Sequence, residues 1–82
     1  MDLDTLRSLT MSIIETFENP KTIPSHHANL VGEAVDIQDK TIKTLNEVFD
    51  SYMLGEETED HLVVAVKEAK EILKLLEKHF NI

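Results

Sequence analysis

Apolar side chains recur every three or four residues along three separate stretches of the chain. The first set is Leu3, Leu6, Leu9, Ile13, Ile14 and Phe17. The second is Val31, Ala34, Val35, Ile42, Leu45, Val48, Phe49 and Tyr52, with Leu30 and Ile37 to one side. The third is Leu62, Ala65, Val66, Ala69, Ile72, Leu73, Leu76 and Phe80. This spacing indicates three amphipathic α-helices, and we interpret each set as a core face.

Prolines, glycines and capping residues divide the chain between these stretches. The first helix is expected to end before Pro20, which lacks the amide a helix interior needs, and the second before Gly55. The expected N-terminal caps are Asp2 or Asp4, Ser25 and Thr58. The sequence predicts one domain with helices over about residues 4–18, 25–53 and 58–80.

The link between the second and third helices is short, which favours an antiparallel hairpin. If the turn is centred near residue 56, positions whose numbers add to about 112 lie side by side. Gly32 is then expected to face Phe80 and leave room for its ring. The alternative is that Gly32 marks a break between a short helix over 25–31 and the main helix. The predicted fold class is all-α: a three-helix bundle built on a long antiparallel helical hairpin with a shorter N-terminal helix.

The predicted helices differ in length. At 1.5 Å per residue the second spans about 43 Å and the first about 22 Å, so the first cannot cover the hairpin. Uncovered apolar surface usually marks an interaction site. The partner-binding candidates are Leu62, Val63, Val64, Val66, Leu73 and Leu75. The alternative is a closed monomer whose first helix tilts across the hairpin and covers the valines.

The chain is acidic, with 16 acidic and eight basic side chains and a net charge of −8. Because this charge repels phosphate groups and anionic lipid, we expect no direct binding to nucleic acid or membranes. Residues 25–60 hold nine acids and two bases, a local charge of −7. The candidate acidic face consists of Glu33, Asp36, Asp39, Glu47 and Asp50. It is either a solvated face or a surface that binds a basic partner.

A cytoplasmic location is expected. The chain has no cysteine, so it needs no oxidising compartment. Its start, Met1-Asp2-Leu3-Asp4, is acidic where a targeting segment is basic, and no apolar run approaches the ~18 residues of a membrane span.

Side chains that could carry chemistry form weak patterns. His26, His27 and His79 are weak metal-ligand candidates, because adjacent histidines on a helix point about 100° apart. Two carboxylate pairs, Glu33/Asp36 and Glu68/Glu71, superficially resemble those that hold magnesium in all-helical nucleotide pyrophosphatases. The hairpin register separates the pairs by roughly 12–16 Å along the helices, too far to share one ion. We therefore expect no metal site and no cofactor.

These features are compatible with three functions. The leading hypothesis is a non-enzymatic protein–protein interaction module, such as a small helical adaptor, assembly factor or regulator, that acts through an apolar hairpin face as a homodimer. Its partner is a second copy or another protein. The second hypothesis is an acidic inhibitor, of the type found in mobile elements, that occupies a basic nucleic-acid-binding groove on another protein. The third is a metal-dependent helical enzyme.

Overall fold

Three helices make up most of the chain in the computed structural model, which describes residues 2–82. They are α1 (Leu3–Phe17), α2 (Pro24–Met53) and α3 (Glu59–Phe80), and each end lies within one residue of the prediction. No strand occurs in the described range. The helices pack against one another, which confirms the predicted all-α three-helix bundle.

Side-chain caps begin α1 and α3, as the sequence predicts. Oδ1 of Asp2 accepts a hydrogen bond from the backbone N–H of Thr5 at 2.7 Å. Oγ1 of Thr58 accepts one from the backbone N–H of His61 at 3.2 Å. Each bond satisfies an amide that the first helical turn leaves without a backbone partner.

The start of α2 differs from its prediction. Ser25 is not the cap, because the helix begins one residue earlier and Ile23 occupies the capping position without a side-chain hydrogen bond. Pro24 is the first helical residue, where the amide that proline lacks has no intrahelical partner in any case. The N–H of His27 donates to the Ile23 carbonyl at 3.0 Å and closes the first turn.

The core lies along the line where the three helices meet. Leu6, Ile72 and Leu76 have their side chains fully buried there. The other buried apolar residues are Leu3, Ile13, Ile14, Leu30, Ala34, Ile37, Ala65, Ala69 and Phe80. Small residues at Ala34, Ala65 and Ala69 let the helices approach closely.

Two threonines, Thr10 of α1 and Thr41 of α2, are completely buried in this core. Their hydroxyls donate hydrogen bonds of 2.7 Å to the Leu6 and Ile37 carbonyls of their own helices. Because each hydroxyl finds its partner one turn earlier in the same helix, burial among aliphatic side chains leaves no unsatisfied polar group.

The core stripe predicted for α2 is partly wrong. Leu30 and Ile37 were expected to lie to one side, yet they are buried, whereas Val35, Ile42 and Phe49 are exposed. The physical reason is that α1 packs on the flank of α2 that carries Ile37. No helix of the described chain packs on the opposite flank, so the stripe that includes Phe49 stays open to solvent.

Gly32 does not have the predicted packing role. A Cβ atom built at Gly32 meets nothing within 4 Å, and the residue is exposed. The alternative of a helix break is also wrong, because α2 runs without interruption from Pro24 to Met53. The hairpin register sets the level of a residue along the helix but not its direction. Gly32 is two residues before buried Ala34, about 200° around the helix, and therefore points to solvent.

α1 covers only part of the hairpin. Its 15 residues span about 22 Å, against about 45 Å for the 30 residues of α2. Its first residue, Leu3, lies at the level of Val48 and Ala65, and its last, Phe17, packs against Phe80 with ring centroids 4.5 Å apart. The hairpin tip beyond Val48 therefore projects past α1.

The two glycines provide a matched pair for stability measurements. We expect Gly32→Ala to raise the free energy of unfolding by about 1 kcal/mol, because alanine favours a helix interior and its methyl group meets nothing. Gly55→Ala should lower it, since the φ of Gly55 is +78°, where a side chain is strained. Urea unfolding followed by circular dichroism measures both. A destabilised Gly32→Ala variant would contradict the structure and restore the packing role.

Candidate interaction surface

An apolar stripe runs along the exposed side of α2. Val35, Ile42 and Phe49 are seven residues apart, so they lie within about 40° of one another around the helix. Their exposed fractions are 41, 46 and 49%, respectively. Val31, one turn before Val35, continues the stripe and is half-buried against the core. The stripe therefore extends along most of α2, with Gln38 and Asn46 at its margins.

α3 contributes a parallel row to the same surface. Leu62, Val66 and Leu73 are separated by four and seven residues, which places them on one side of α3. All three are half-buried, so part of each side chain remains accessible. We call the surface formed by these three residues and by Val31, Val35, Ile42 and Phe49 the back face.

The position of α1 shows which way the back face points. On α2, Glu33 and Lys40 border a groove shared with Leu9 of α1, so their side of the helix faces α1. Val35 and Ile42 each follow one of these residues by two positions, about 200° further around the helix. They consequently lie on the side of α2 away from α1.

The same reasoning applies to α3. Nη2 of Arg7 on α1 forms an ion pair of 2.9 Å with Oε1 of Glu71. Leu73 follows Glu71 by two residues and so points away from α1. The back face is therefore the side of the hairpin opposite α1, and no other helix in residues 2–82 covers it.

The six partner-binding candidates do not share one surface. Leu62, Val66 and Leu73 belong to the back face, and Val63, which is 58% exposed, lies further around α3 at its edge. Val64 instead borders a hollow with Asp2, Leu3 and Asp4 at the start of α1. Leu75 is 11 residues from Val64, on the same side of α3, and packs against the core.

Sequence reasoning missed the α2 half of the back face. Their helical spacing predicts Val35, Ile42 and Phe49 as core residues, yet all three are exposed. A signal was present: the apolar residues of α2 cover an arc too wide for one packing contact, from Ile37 on one side to Val35 on the other. That width does not say which edge is buried, because the answer depends on where α1 packs.

All five members of the predicted acidic face are exposed on α2: Glu33, Asp36, Asp39, Glu47 and Asp50. Lys40 and Lys43 lie on the same arc, so the surface is not uniformly acidic. Oδ2 of Asp36 pairs with Nζ of Lys40, one helical turn later, at 2.8 Å. At these exposures the pair contributes only a few tenths of a kcal/mol.

The hairpin tip and the start of α1 carry the two carboxyl groups with shifted pKa values. A hydrogen bond from the backbone N–H of Thr5 lowers the pKa of Asp2 below its usual value. A hydrogen bond with His61, whose Nδ1 lies 2.7 Å from Oε2 of Glu57, lowers the pKa of Glu57. Both contacts favour the charged carboxylate.

The three candidate metal-binding histidines do not converge. His27 packs against Phe17 with ring centroids 4.6 Å apart and ring planes tilted by 34°, and its Nε2 atom is buried without a hydrogen-bond partner. Nδ1 of His79 contacts a carboxylate oxygen of Glu18 at the end of α1, and His26 is exposed. In the described chain no group of three histidine, aspartate or glutamate side chains is placed to hold a metal ion.

The two carboxylate pairs also lie apart. Glu33 and Asp36 border the groove between α1 and α2, whereas Glu68 lines the hollow of about 260 Å³ at the start of α1. Glu71 is engaged by Arg7. The two pairs therefore do not face one another across a shared site.

Comparisons with known proteins give no family assignment. No protein-family model, curated protein or solved structure matches the chain. Over residues 2–82, none of the helices combines the length and apolar character required to cross a bilayer.

The shifted carboxyl groups predict a pH dependence. A carboxyl whose pKa is lowered in the folded state stabilises the fold above its unfolded pKa, and this contribution disappears as the pH falls through the folded value. For Asp2 and Glu57 we expect the thermal unfolding midpoint to fall as the pH drops from about 5 towards 2. Asp2→Ser retains a neutral cap, so its midpoint should fall less steeply with pH than that of the wild type. Identical slopes in calorimetry would contradict this role for Asp2.

Proposed function

We propose that the protein is a non-enzymatic interaction module that associates through its back face, with a second copy of itself as the partner. The observation that carries this proposal is the exposed stripe of Val35, Ile42 and Phe49 on the side of the hairpin opposite α1. Roles such as adaptor, assembly factor or regulator all depend on a docking surface of this kind.

The size of the back face supports docking. From Val31 to Phe49 it is about 27 Å long, and two helices spaced about 9 Å apart give it a width of about 20 Å. The resulting area is on the order of 500 Å² per copy, within the range of the largest apolar patch on a typical monomer. Two such faces would together bury about 1,000 Å², the area that a specific interface should clear.

A second copy is the partner that this shape favours. The back face is formed by two adjacent antiparallel helices, which is one half of a four-helix bundle. Most soluble oligomers are homo-oligomers, and two-fold dimers are the commonest. Pairing two hairpins back to back would remove Val35, Ile42 and Phe49 from water in both copies at once.

The exposed acidic face favours a second candidate function. Its five carboxylates lie within an arc of about 120° on α2, a charged surface that a basic groove on a nucleic-acid-binding protein would attract. Lys40 and Lys43 reduce the field of this surface. Complexes of this type weaken steeply with salt, so capture that persists at half-molar salt would contradict the inhibitor hypothesis.

The remaining proposals concern chemistry and location. A metal-dependent enzyme has no supporting arrangement of ligands among residues 2–82, so we do not propose one. We propose a cytoplasmic location, because a chain without cysteine gains nothing from an oxidising compartment.

Glutamine substitutions on the two sides of the hairpin test self-association. Ile42→Gln and Phe49→Gln each place a neutral polar group with good helix propensity on the back face. We expect each to weaken dimerisation about tenfold or more, because interface cores contain the energetically dominant contacts. Sedimentation velocity over a wide concentration range measures the change.

Val64→Gln is the matched control. Val64 is 49% exposed, like Phe49, but borders the start of α1 instead of the back face. The control should dimerise as the wild type does, and circular dichroism should show equal helix content in all variants. A wild type that stays monomeric at hundreds of micromolar would overturn the proposal, and so would loss of dimerisation in Val64→Gln alone.

A further inference from the structure

We infer that two copies pair with their two-fold axis parallel to the helices, so that α2 of each copy lies against α3 of the other. This inference rests on the proposed self-association through the back face and adds the geometry of the pair. The distribution of charge along the two long edges of the back face carries it.

Only two two-fold arrangements bring one back face onto another with the helices aligned. If the axis runs along the helices, α2 faces the α3 of the partner copy and both hairpin tips lie at the same end. If the axis runs across the helices, α2 faces α2, α3 faces α3, and the tips lie at opposite ends. In both arrangements every adjacent pair of helices is antiparallel, as in an up-down four-helix bundle, so helix direction does not distinguish them.

The edge along α3 is basic in its central part. Lys70 lies about 40° from Val66 around α3, on the side away from α2. In the same direction, Lys67 lies about 100° from Val66 and Lys74 about 100° from Leu73. None of the four ion pairs in residues 2–82 includes these three lysines. Pairing α3 with α3 would bring six unneutralised lysines together along one edge.

The edge along α2 carries Asp39 and Asp50, which lie about 60° and 80° from Ile42 around the helix, on the side away from α3. Both are exposed, and neither belongs to an ion pair in the described part of the chain. Lys43 lies further out on the same edge and lowers its negative charge. The two aspartates thus face solvent beside the stripe.

The hairpin register places these opposite charges at matching levels. Val48 and Ala65 lie at the same level along the hairpin, next to Leu3, so antiparallel positions whose numbers add to about 113 share a level. Asp39 is therefore level with Lys74, and Asp50 lies within about one turn of Lys67. An axis parallel to the helices leaves these levels unchanged. Each copy would therefore bring Lys74 and Lys67 to Asp39 and Asp50 of the other copy. Glu77, at the far end of the α3 edge, lies outside this central stretch.

A distance measurement separates the two arrangements. The chain has no cysteine, so Glu56→Cys in the exposed turn introduces a single thiol for a spin label. With the axis along the helices, the two labels should be less than about 25 Å apart, the separation of two packed hairpins. With the axis across the helices at the level of Ile42, in the middle of the stripe, each label lies about 20 Å from the axis and the two labels should be about 40 Å apart. Pulsed electron paramagnetic resonance measures the distance between the labels, and the longer distance would overturn the inference.

A charge exchange provides an independent test. A quadruple variant carries Asp39→Lys, Asp50→Lys, Lys67→Glu and Lys74→Glu, so both edges change sign. In the inferred arrangement the variant dimerises with itself, but a mixture with wild type should yield few heterodimers, because each mixed edge pairs like charges. Native mass spectrometry counts the species. Preferred heterodimers or a statistical mixture would overturn the inferred geometry.

The outcomes distinguish failure of the inferred axis from failure of the proposed self-association. If the wild type is monomeric, or if Ile42→Gln dimerises as tightly as the wild type, the proposed self-association fails. If the back-face variants lose dimerisation while the labels lie about 40 Å apart, the self-association stands and only the axis is wrong.

Discussion

Burial of aliphatic side chains where three helices of unequal length meet is the constraint on which the rest of this structure depends. Leu6, Ile72 and Leu76 lose all contact with solvent along that line, and their burial holds α1 against one side of the hairpin. A single 15-residue helix can occupy only one side of two longer antiparallel helices. The opposite side consequently keeps an apolar surface that the chain itself does not cover.

The two sides of the hairpin both carry apolar side chains, but only the side towards α1 is buried. Towards α1, Ala34, Ala69 and Leu76 form a closely packed core. Away from α1, larger residues such as Ile42 and Phe49 remain about half exposed, although exposed apolar area disfavours a solitary folded chain. This uncovered face is the physical basis of the proposed docking function.

The open end of the bundle shows how non-local contacts complete the fold. Phe17 packs with tilted rings against both Phe80 and His27, and Glu18 contacts His79 across 61 positions of the chain. These contacts hold the end of α1 between the ends of α2 and α3. Helical spacing predicts that Phe17 and Phe80 lie on apolar faces, but no local pattern states that Phe17 and His27 meet.

The amino-acid sequence by itself determined the helices, most of their caps and the mismatch in their lengths, because proline, glycine, capping side chains and apolar periodicity act within a few residues. It also identified Leu62, Val66 and Leu73 as surplus apolar surface. Only the tertiary structure decided that Ile37 is buried and Ile42 is not, and that Val64 and Leu75 lie apart from the back face. The reason is that a wide apolar arc has two flanks, and the packing of α1, which is a non-local contact, determines which flank is buried in the core.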